Sequence, residues 1–415
     1  MKTAVHGMPR IGERRALKWA LEAYWAGRTG LPELASAAAA VRRRNWDRLA
    51  EAKVGYVPSN DFSLYDHMLD AAVAVGAIPD RFRTGEPAHG SGSGPDPELT
   101  RYFAMARGGL AGRAGGSEVA PLELTKWFDT NYHHLVPEIG PDTAFVPDPS
   151  KACGELAEAT ALGVPTEPVL LGPLTFLTRS APTVPSFDPM TLLGRLVEVY
   201  VELLGALARQ GARWVRLDEP ALVEDRSAEE LAACAAAYRR LADAPGRPKI
   251  AVATYFGHVG EAMAMLADLP VDGVGLDFCA GGENLDLLSK VGGLGDKILF
   301  AGVVDGRNVW ANDLDRSLEL LERLGGLSAE LVVSTSCSLL HVPESLSPEA
   351  ALDPEVRPWL AFAAEKLTEL SVLARGAEGG RAAVADDLEA NRDVRAARAR
   401  SPRTSDPAVR RALAA

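Results

Sequence analysis

Adjacent carboxylates, Asp218 and Glu219, close the apolar run in "RLDEPAL" (216–222). Paired acids can accept and donate a proton, or hold an amino group. A strand-end acid can equally bind backbone N–H groups or an arginine, and both readings stand. "NDFSLYDH" (60–67) sets Asn60 and Asp61 behind another apolar run, with Asp61 readable as a pocket acid or a helix cap. Asp277, Asp305 and Cys337 end three further runs, in "LDFC", "VVDG" and "STSC". Lys126 opens "KWFDTNYHH" (126–134), where aromatics, an asparagine and two histidines could line a site for a flat ring and an anionic tail, or form a satisfied polar surface.

Metal chemistry finds little support in the spacing. Asp277, Cys279, Cys337 and His341 could approach one another across a barrel mouth. Cys279 and His341 lie past the strand-end positions, however, and a buried thiol with a hydrogen-bonded histidine is the simpler reading. The four cysteines (153, 234, 279 and 337) make no CxxC, and no H-x-C or H-E-x-x-H occurs. Phosphate-cradling glycine loops and the G-x-S-x-G elbow are absent too, so nucleotide and serine-hydrolase chemistry lack their motifs.

The formal net charge is -12. Such a surface repels a phosphate backbone, which argues against a nucleic-acid partner. Against that acidity stands "GMPRIGERRALK" (7–18), with Arg14, Arg15 and Lys18. If the segment is helical, Arg15 and Lys18 at i, i+3 share one face. Behind a first strand they would point at a barrel mouth, where helix N–H groups add positive potential. That makes an anion seat; a solvated basic face making weak surface pairs is the alternative.

These residues need elements to hold them. Nine apolar runs read as strands: "KTAVHG" at the start, then 54–62, 133–139, 167–176, 213–222, 249–257, 271–278, 297–306 and 329–337. Helical periodicity covers 13–28, 31–52, 63–75, 151–162, 189–210, 228–242, 259–267, 284–291 and 313–325. Several runs are apolar throughout, as parallel strands buried on both faces require. Polar residues close nearly every run, whereas a doubly wound sheet gathers its site at one switch point. The expectation is an α/β chain forming a (βα)8 TIM barrel with an N-terminal helical hairpin. Eight strands close such a barrel, so one run lies outside it, and "HHLVPEI" (133–139) is the weakest. Gly, Ser and Pro make 85–98 a loop. Residues 1–375 form the barrel; 376–415, poor in large apolar residues, read as a linker-like tail with a marginal helix. No apolar run reaches a membrane span and no secretory signal opens the chain, so a cytoplasmic protein without a membrane partner is expected.

"HGMPRIGERRALKWALEAYWAG", "NDFSLYDHMLD", "LTKWFDTNYHHLVPE", "LLGPLTFL", "RLDEPAL", "TYFG", "VVDGRNVW" and "SCSLLHVP" follow one another along residues 3–375. In this order they resemble the N-terminal half of cobalamin-independent methionine synthase, and "SPRTSDPAVRRALAA" resembles the linker between that family's two barrels. The family transfers a methyl group from 5-methyltetrahydropteroyl-polyglutamate to homocysteine. Its C-terminal barrel carries zinc, the homocysteine pocket and the catalytic histidine; its N-terminal barrel helps hold the polyglutamate tail. The resemblance puts that tail contact on Arg15, Lys18 and Lys126, with Ala16 where the family often has Glu. It implies 5-methyltetrahydrofolate polyglutamate as methyl donor. Where the metal barrel has T-H-x-C, this chain has "ATYFG", with Thr254 and Phe256. Asp277 and Cys337 fall on the two remaining ligand positions, too few for zinc. Zinc is therefore not expected in this chain, and methyl transfer would need a separate zinc-bearing barrel as partner. Two other readings stay open. One is a standalone enzyme whose repurposed mouth, with Asn60, Asp61, Asp218, Glu219, Asp277, Asp305 and Cys337, takes a small polar substrate or a folate. The other is a non-catalytic interaction module.

Overall fold

Runs of small and β-branched residues, nearly all buried, form eight parallel strands, and polar residues follow them at their C-terminal ends. The computed structural model describes residues 1–83, 97–108, 119–404 and 406–413. In chain order the strands are β1 (Thr3–Ala4), β2 (Pro58–Ser59), β3 (Glu167–Leu171), β4 (Trp214–Asp218), β5 (Lys249–Ala253), β6 (Gly273–Asp277), β7 (Ile298–Val304) and β8 (Glu330–Thr335). Each of β2 to β8 pairs in parallel with its sequence neighbour except where the ring closes, and β1 pairs with β8. The last seam, between β1 and β2, is a parallel bridge from Ala4 to Tyr56, with the Tyr56 N–H donating to the Thr3 carbonyl at 3.0 Å. The result is the expected TIM-like barrel. Tyr56, Trp214 and Phe300 pack edge to face at its floor, among Ala4, Ala251 and Val332.

The run 133–139 stays out of the barrel, as expected. His133–Leu135 pairs antiparallel with Leu124–Lys126, and Glu138–Ile139 pairs with Ala181–Pro182.

Helices cover the outside of the barrel because their apolar residues recur at helical spacing. In the helix Leu193–Arg209, Leu196, Leu203 and Leu207 are buried against the main core. Each such leucine contributes about 1.5–3 kcal/mol. The helix Ala228–Ala242 starts at a capping box: Ser227 Oγ accepts from Glu230 N–H, and Glu230 accepts from Ser227 N–H at 2.8 Å. Losing that Ser227 cap would cost about 1 kcal/mol.

The N-terminal hairpin consists of α1 (Ala16–Trp25) and α2 (Leu31–Glu51). Its first helix does not start where periodicity places it. Arg14 and Arg15 have φ of 53° and 61°, in the left-handed region, so regular helix begins only at Ala16. Gly12, also left-handed at φ 74°, has no room for a side chain, since a Cβ there would lie 2.8 Å from Val41. Arg15 is thus the residue before the helix, and the expected single helical face shared by Arg15 and Lys18 does not form.

Two other expectations are adjusted. The loop read at 85–98 lies outside the described residues except for Pro97 and Glu98, which open the helix Pro97–Arg107. Residues 376–400 are no loose linker. The barrel's last helix runs Ala363–Gly379, and the helix Ala385–Arg400 docks beyond it. Val384 and Leu388 are buried in the main core. Charge does the rest: Arg381 and Arg392 both pair with Asp315 at 2.7 Å, and Asn391 Nδ2 donates to the Asn312 carbonyl at 2.9 Å. Composition hides this contact, because it is made by few apolar side chains and many ionic ones.

Candidate functional site

Alternation along β4 decides the roles of its polar end. Arg216 and Asp218, two residues apart, face inward; Glu219, next along, faces away. The buried Arg216 guanidinium donates to Asp218 at 2.9 Å, to Glu167 at 3.1 Å and to the carbonyls of Val5 and His6. Tyr255 OH donates to the other Asp218 oxygen at 3.2 Å. Burial raises the Asp218 pKa, while the guanidinium opposes that rise.

Glu219 is a structural group. Its carboxylate accepts from the N–H groups of Leu174 (3.0 Å) and Thr175 (2.7 Å) and from Tyr238 OH (2.9 Å), capping the helix Pro173–Thr178. Burial pushes it up to about 7, against these hydrogen bonds. Gly172 permits the approach, since a Cβ there would lie 2.1 Å from the Glu219 carboxyl carbon. Asp277 accepts from the N–H groups of Phe256, Cys279 and Ala280, and burial takes it up to about 6. Asp305 accepts from the N–H groups of Arg307 and Asn308. Cys337 is fully buried, and that burial holds its thiol well above the usual range. These four residues brace strand ends and loops and do not line the main cavity. Thr254 donates its hydroxyl to the Gly275 carbonyl, and Phe256 has no side-chain donor atom to offer. Among the described residues no group of three or more His, Cys, Asp or Glu side chains is arranged to hold a metal ion.

The main cavity has a volume of about 640 Å³. Asn60, Asp61 and Asp218 line it, as do His6, His67, Tyr255 and His341 near the barrel axis and residues of α2 under the hairpin. Asp61 is fixed by Met8 N–H at 2.9 Å. Asn60, itself left-handed at φ 61°, is held by three contacts. Its N–H donates to Glu155, its Nδ2 donates to the Val169 carbonyl, and its Oδ1 accepts from Lys151 Nζ at 2.7 Å; Lys151 also pairs with Glu155 and Asp70. His67 stacks on Tyr132 with ring centroids 5.2 Å apart and meets Trp127 edge-on. Burial pushes His67 down to about 3 and His341 to about 4, so both rings are neutral at pH 7.

Arg15 and Lys126 are exposed and Lys18 is half-exposed; none lines the cavity. Lys18 lies 3.7 Å from Glu22, an exposed pair of little strength. Lys126 sits on the hairpin opposite His133.

His6, His67, Arg216 and Lys151 were not singled out by the sequence. Arg216 was within reach, because period two places it on the face of Asp218. His6 also stands at a strand end, as Asp218 and Asp277 do. Lys151 gives no such signal, as it comes from a helix outside the barrel.

A family model described as the N-terminal domain of cobalamin-independent synthase matches residues 2–329. A 5-methyltetrahydropteroyltriglutamate–homocysteine methyltransferase of Streptomyces coelicolor is 51% identical over 413 residues, which cover 99% of this chain and 52% of that protein. One from Mycobacterium tuberculosis is 49% identical over 406 residues, 98% of this chain and 51% of that protein. The chain thus spans about half the length of the curated relatives it matches. Among solved structures, a B12-independent methionine synthase from Shewanella sp. W3-18-1 in complex with selenomethionine has a TM-score of 0.59 at 14% identity, covering 94% of this chain and 98% of that one. One described as a putative vitamin-B12-independent methionine synthase, from Listeria monocytogenes, has a TM-score of 0.58 at 13% identity, covering 91% and 98%. At such identities the structural likeness speaks for the fold alone.

Proposed function

The chain belongs to the family of cobalamin-independent methionine synthase N-terminal domains, and on that premise we propose that it binds 5-methyltetrahydrofolate by its polyglutamate tail and works with a separate zinc barrel in methyl transfer to homocysteine. The observation that carries this reading is near-end-to-end similarity to one half of methyltransferases named for a triglutamate folate and homocysteine. Arg15, Lys18 and Lys126 are available to solvent, where a polyanion can reach them. Such contacts act mainly as point charges and weaken with salt. The catalytic thiolate is assigned to the partner: zinc there would hold homocysteine sulfur deprotonated as the nucleophile. This chain's strand-end carboxylates and thiol are committed to internal contacts, which favours a substrate-holding role for it.

The test is titration with 5-methyltetrahydrofolate mono- and triglutamate, with and without the zinc barrel of a relative. Tighter triglutamate binding that falls with salt and with Lys18→Ala supports the proposal. Equal, salt-insensitive binding of the two folates, with no effect on methyl transfer by the added barrel, overturns it. A standalone enzyme acting on a small substrate is favoured by a different observation, the cavity itself.

A further inference from the structure

We propose that the cavity reaching from the barrel mouth to α2 is a ligand site for a small molecule with an apolar or aromatic body and a positively charged nitrogen. Its volume of about 640 Å³ suits such a molecule. Leu34, Ala38, Phe62, Leu64, Ala71 and Tyr102 supply an apolar wall.

Charge selects the head group. Seven carboxylate side chains line the cavity against three basic ones. Two of those three are matched by carboxylates of the wall itself, and Asp218 is matched by Arg216 behind it. Arg42 pairs with Glu158 at 2.6 Å, and Lys151 pairs with Glu155 at 3.1 Å and Asp70 at 3.4 Å. An anion entering here meets a surplus of negative charge, whereas a cation is drawn in. This separates the site from any polyglutamate contact, which needs the opposite field.

Unfilled hydrogen-bonding capacity points the same way. Asp70 Oδ2 accepts no hydrogen bond and is held only by its ion pair with Lys151 at 3.4 Å, its other oxygen accepting from Tyr102 OH at 2.7 Å. His6, only 4% exposed, has a buried Nδ1 with no partner, and so does Nε2 of His67. Native interiors rarely leave such atoms unpaired, and each costs stability until a partner arrives. A ligand N–H group can satisfy a carboxylate oxygen or a neutral imidazole nitrogen. Trp127 and Tyr255 also line the cavity.

The probes are benzylamine, benzyl alcohol and benzoate, which share a ring and differ in charge. Binding is measured by calorimetry and by ligand-observed NMR on the whole chain. Benzylamine should bind at least about tenfold more tightly than benzoate, a difference of about 1.4 kcal/mol. Asp70→Asn should weaken benzylamine severalfold and leave benzyl alcohol unchanged. Ala71→Phe, which fills the cavity, should abolish binding of both. Benzoate binding as tightly as benzylamine, no probe binding, or unchanged benzylamine binding in a folded Ala71→Phe variant would overturn the proposal. If Ala71→Phe does not fold, the ratio of benzylamine to benzyl alcohol affinity in Asp70→Asn decides alone. Triglutamate folate affinity is read separately, so its failure and this one are distinguishable.

Discussion

Arg216 and Asp218 meet at 2.9 Å inside the barrel, two residues apart on one strand and both shut away from solvent. Removing one partner of a buried pair strands the other charge, at a cost of about 3–5 kcal/mol. Glu167, at 3.1 Å from the same guanidinium, softens that loss. Asp218→Ala should therefore destabilise the fold by about 3 kcal/mol in urea denaturation. A change below about 0.5 kcal/mol, typical of a surface site, would refute the role assigned to the pair.

Arg14 and Arg15 both carry side chains in a backbone region that costs about 1 kcal/mol for a residue with Cβ. Arg14→Gly and Arg15→Gly should each raise the thermal midpoint. Only Arg15→Gly should weaken triglutamate folate. Equal affinity losses in both variants would move the anion contact off Arg15.

Glu219 gives the fold a pH dependence of defined sign. Burial lifts its carboxyl to about 7 from an ordinary 4.5, so the folded chain holds this proton more tightly than the unfolded one does. Stability from this group therefore falls as pH rises from about 4.5 through 7, by up to about 3 kcal/mol. Glu219→Gln cannot ionise and should gain on the parent protein as pH rises from 5 to 8. Parallel stability curves for the two proteins would contradict this.

Histidine supplies the opposite slope. His67 sits at about 3 against an ordinary 6.5, so the unfolded chain takes up its proton first as pH falls. His67→Phe should lose less stability than the parent between pH 6.5 and 4, measured by chemical denaturation. An unchanged acid limb would mean that this ring is solvated in solution.

Leu388 reports on the C-terminal helix. Buried in the main core, Leu388→Ala should cost about 2–3 kcal/mol. Arg392→Ala, at an exposed pair with Asp315, should change stability far less than Leu388→Ala does. If thermal melts of Leu388→Ala match the parent, the segment is a linker after all.

Barrel strands were legible because each is an apolar run with a polar finish, and that pattern survives without knowledge of partners. The outlier at 133–139 was legible for the same reason, its apolar run being short. Site residues were harder. Asp218 and Glu219 look equivalent in "RLDEPAL", yet alternation sends one to the cavity and the other to a helix cap. Applied at each strand end, that alternation would have brought in Arg216. The start of α1 was not legible: nothing in the side chains of Arg14 and Arg15 announces a left-handed backbone. Nor were the tail's ion pairs, since their acids lie some seventy residues upstream at Asp313 and Asp315.

The seam joining β1 to β8 sets an order on biosynthesis. Thr3 and Ala4 are made about 330 residues ahead of their ladder partners, Val333 and Ser334. At ordinary rates of translation, about 5–20 residues per second, this edge waits roughly a quarter of a minute to a minute for its neighbour. During that interval it is an open template for mispairing with other nascent chains. A strand only two residues long offers little to pair with, so the brevity of β1 protects the growing chain as well as completing the barrel.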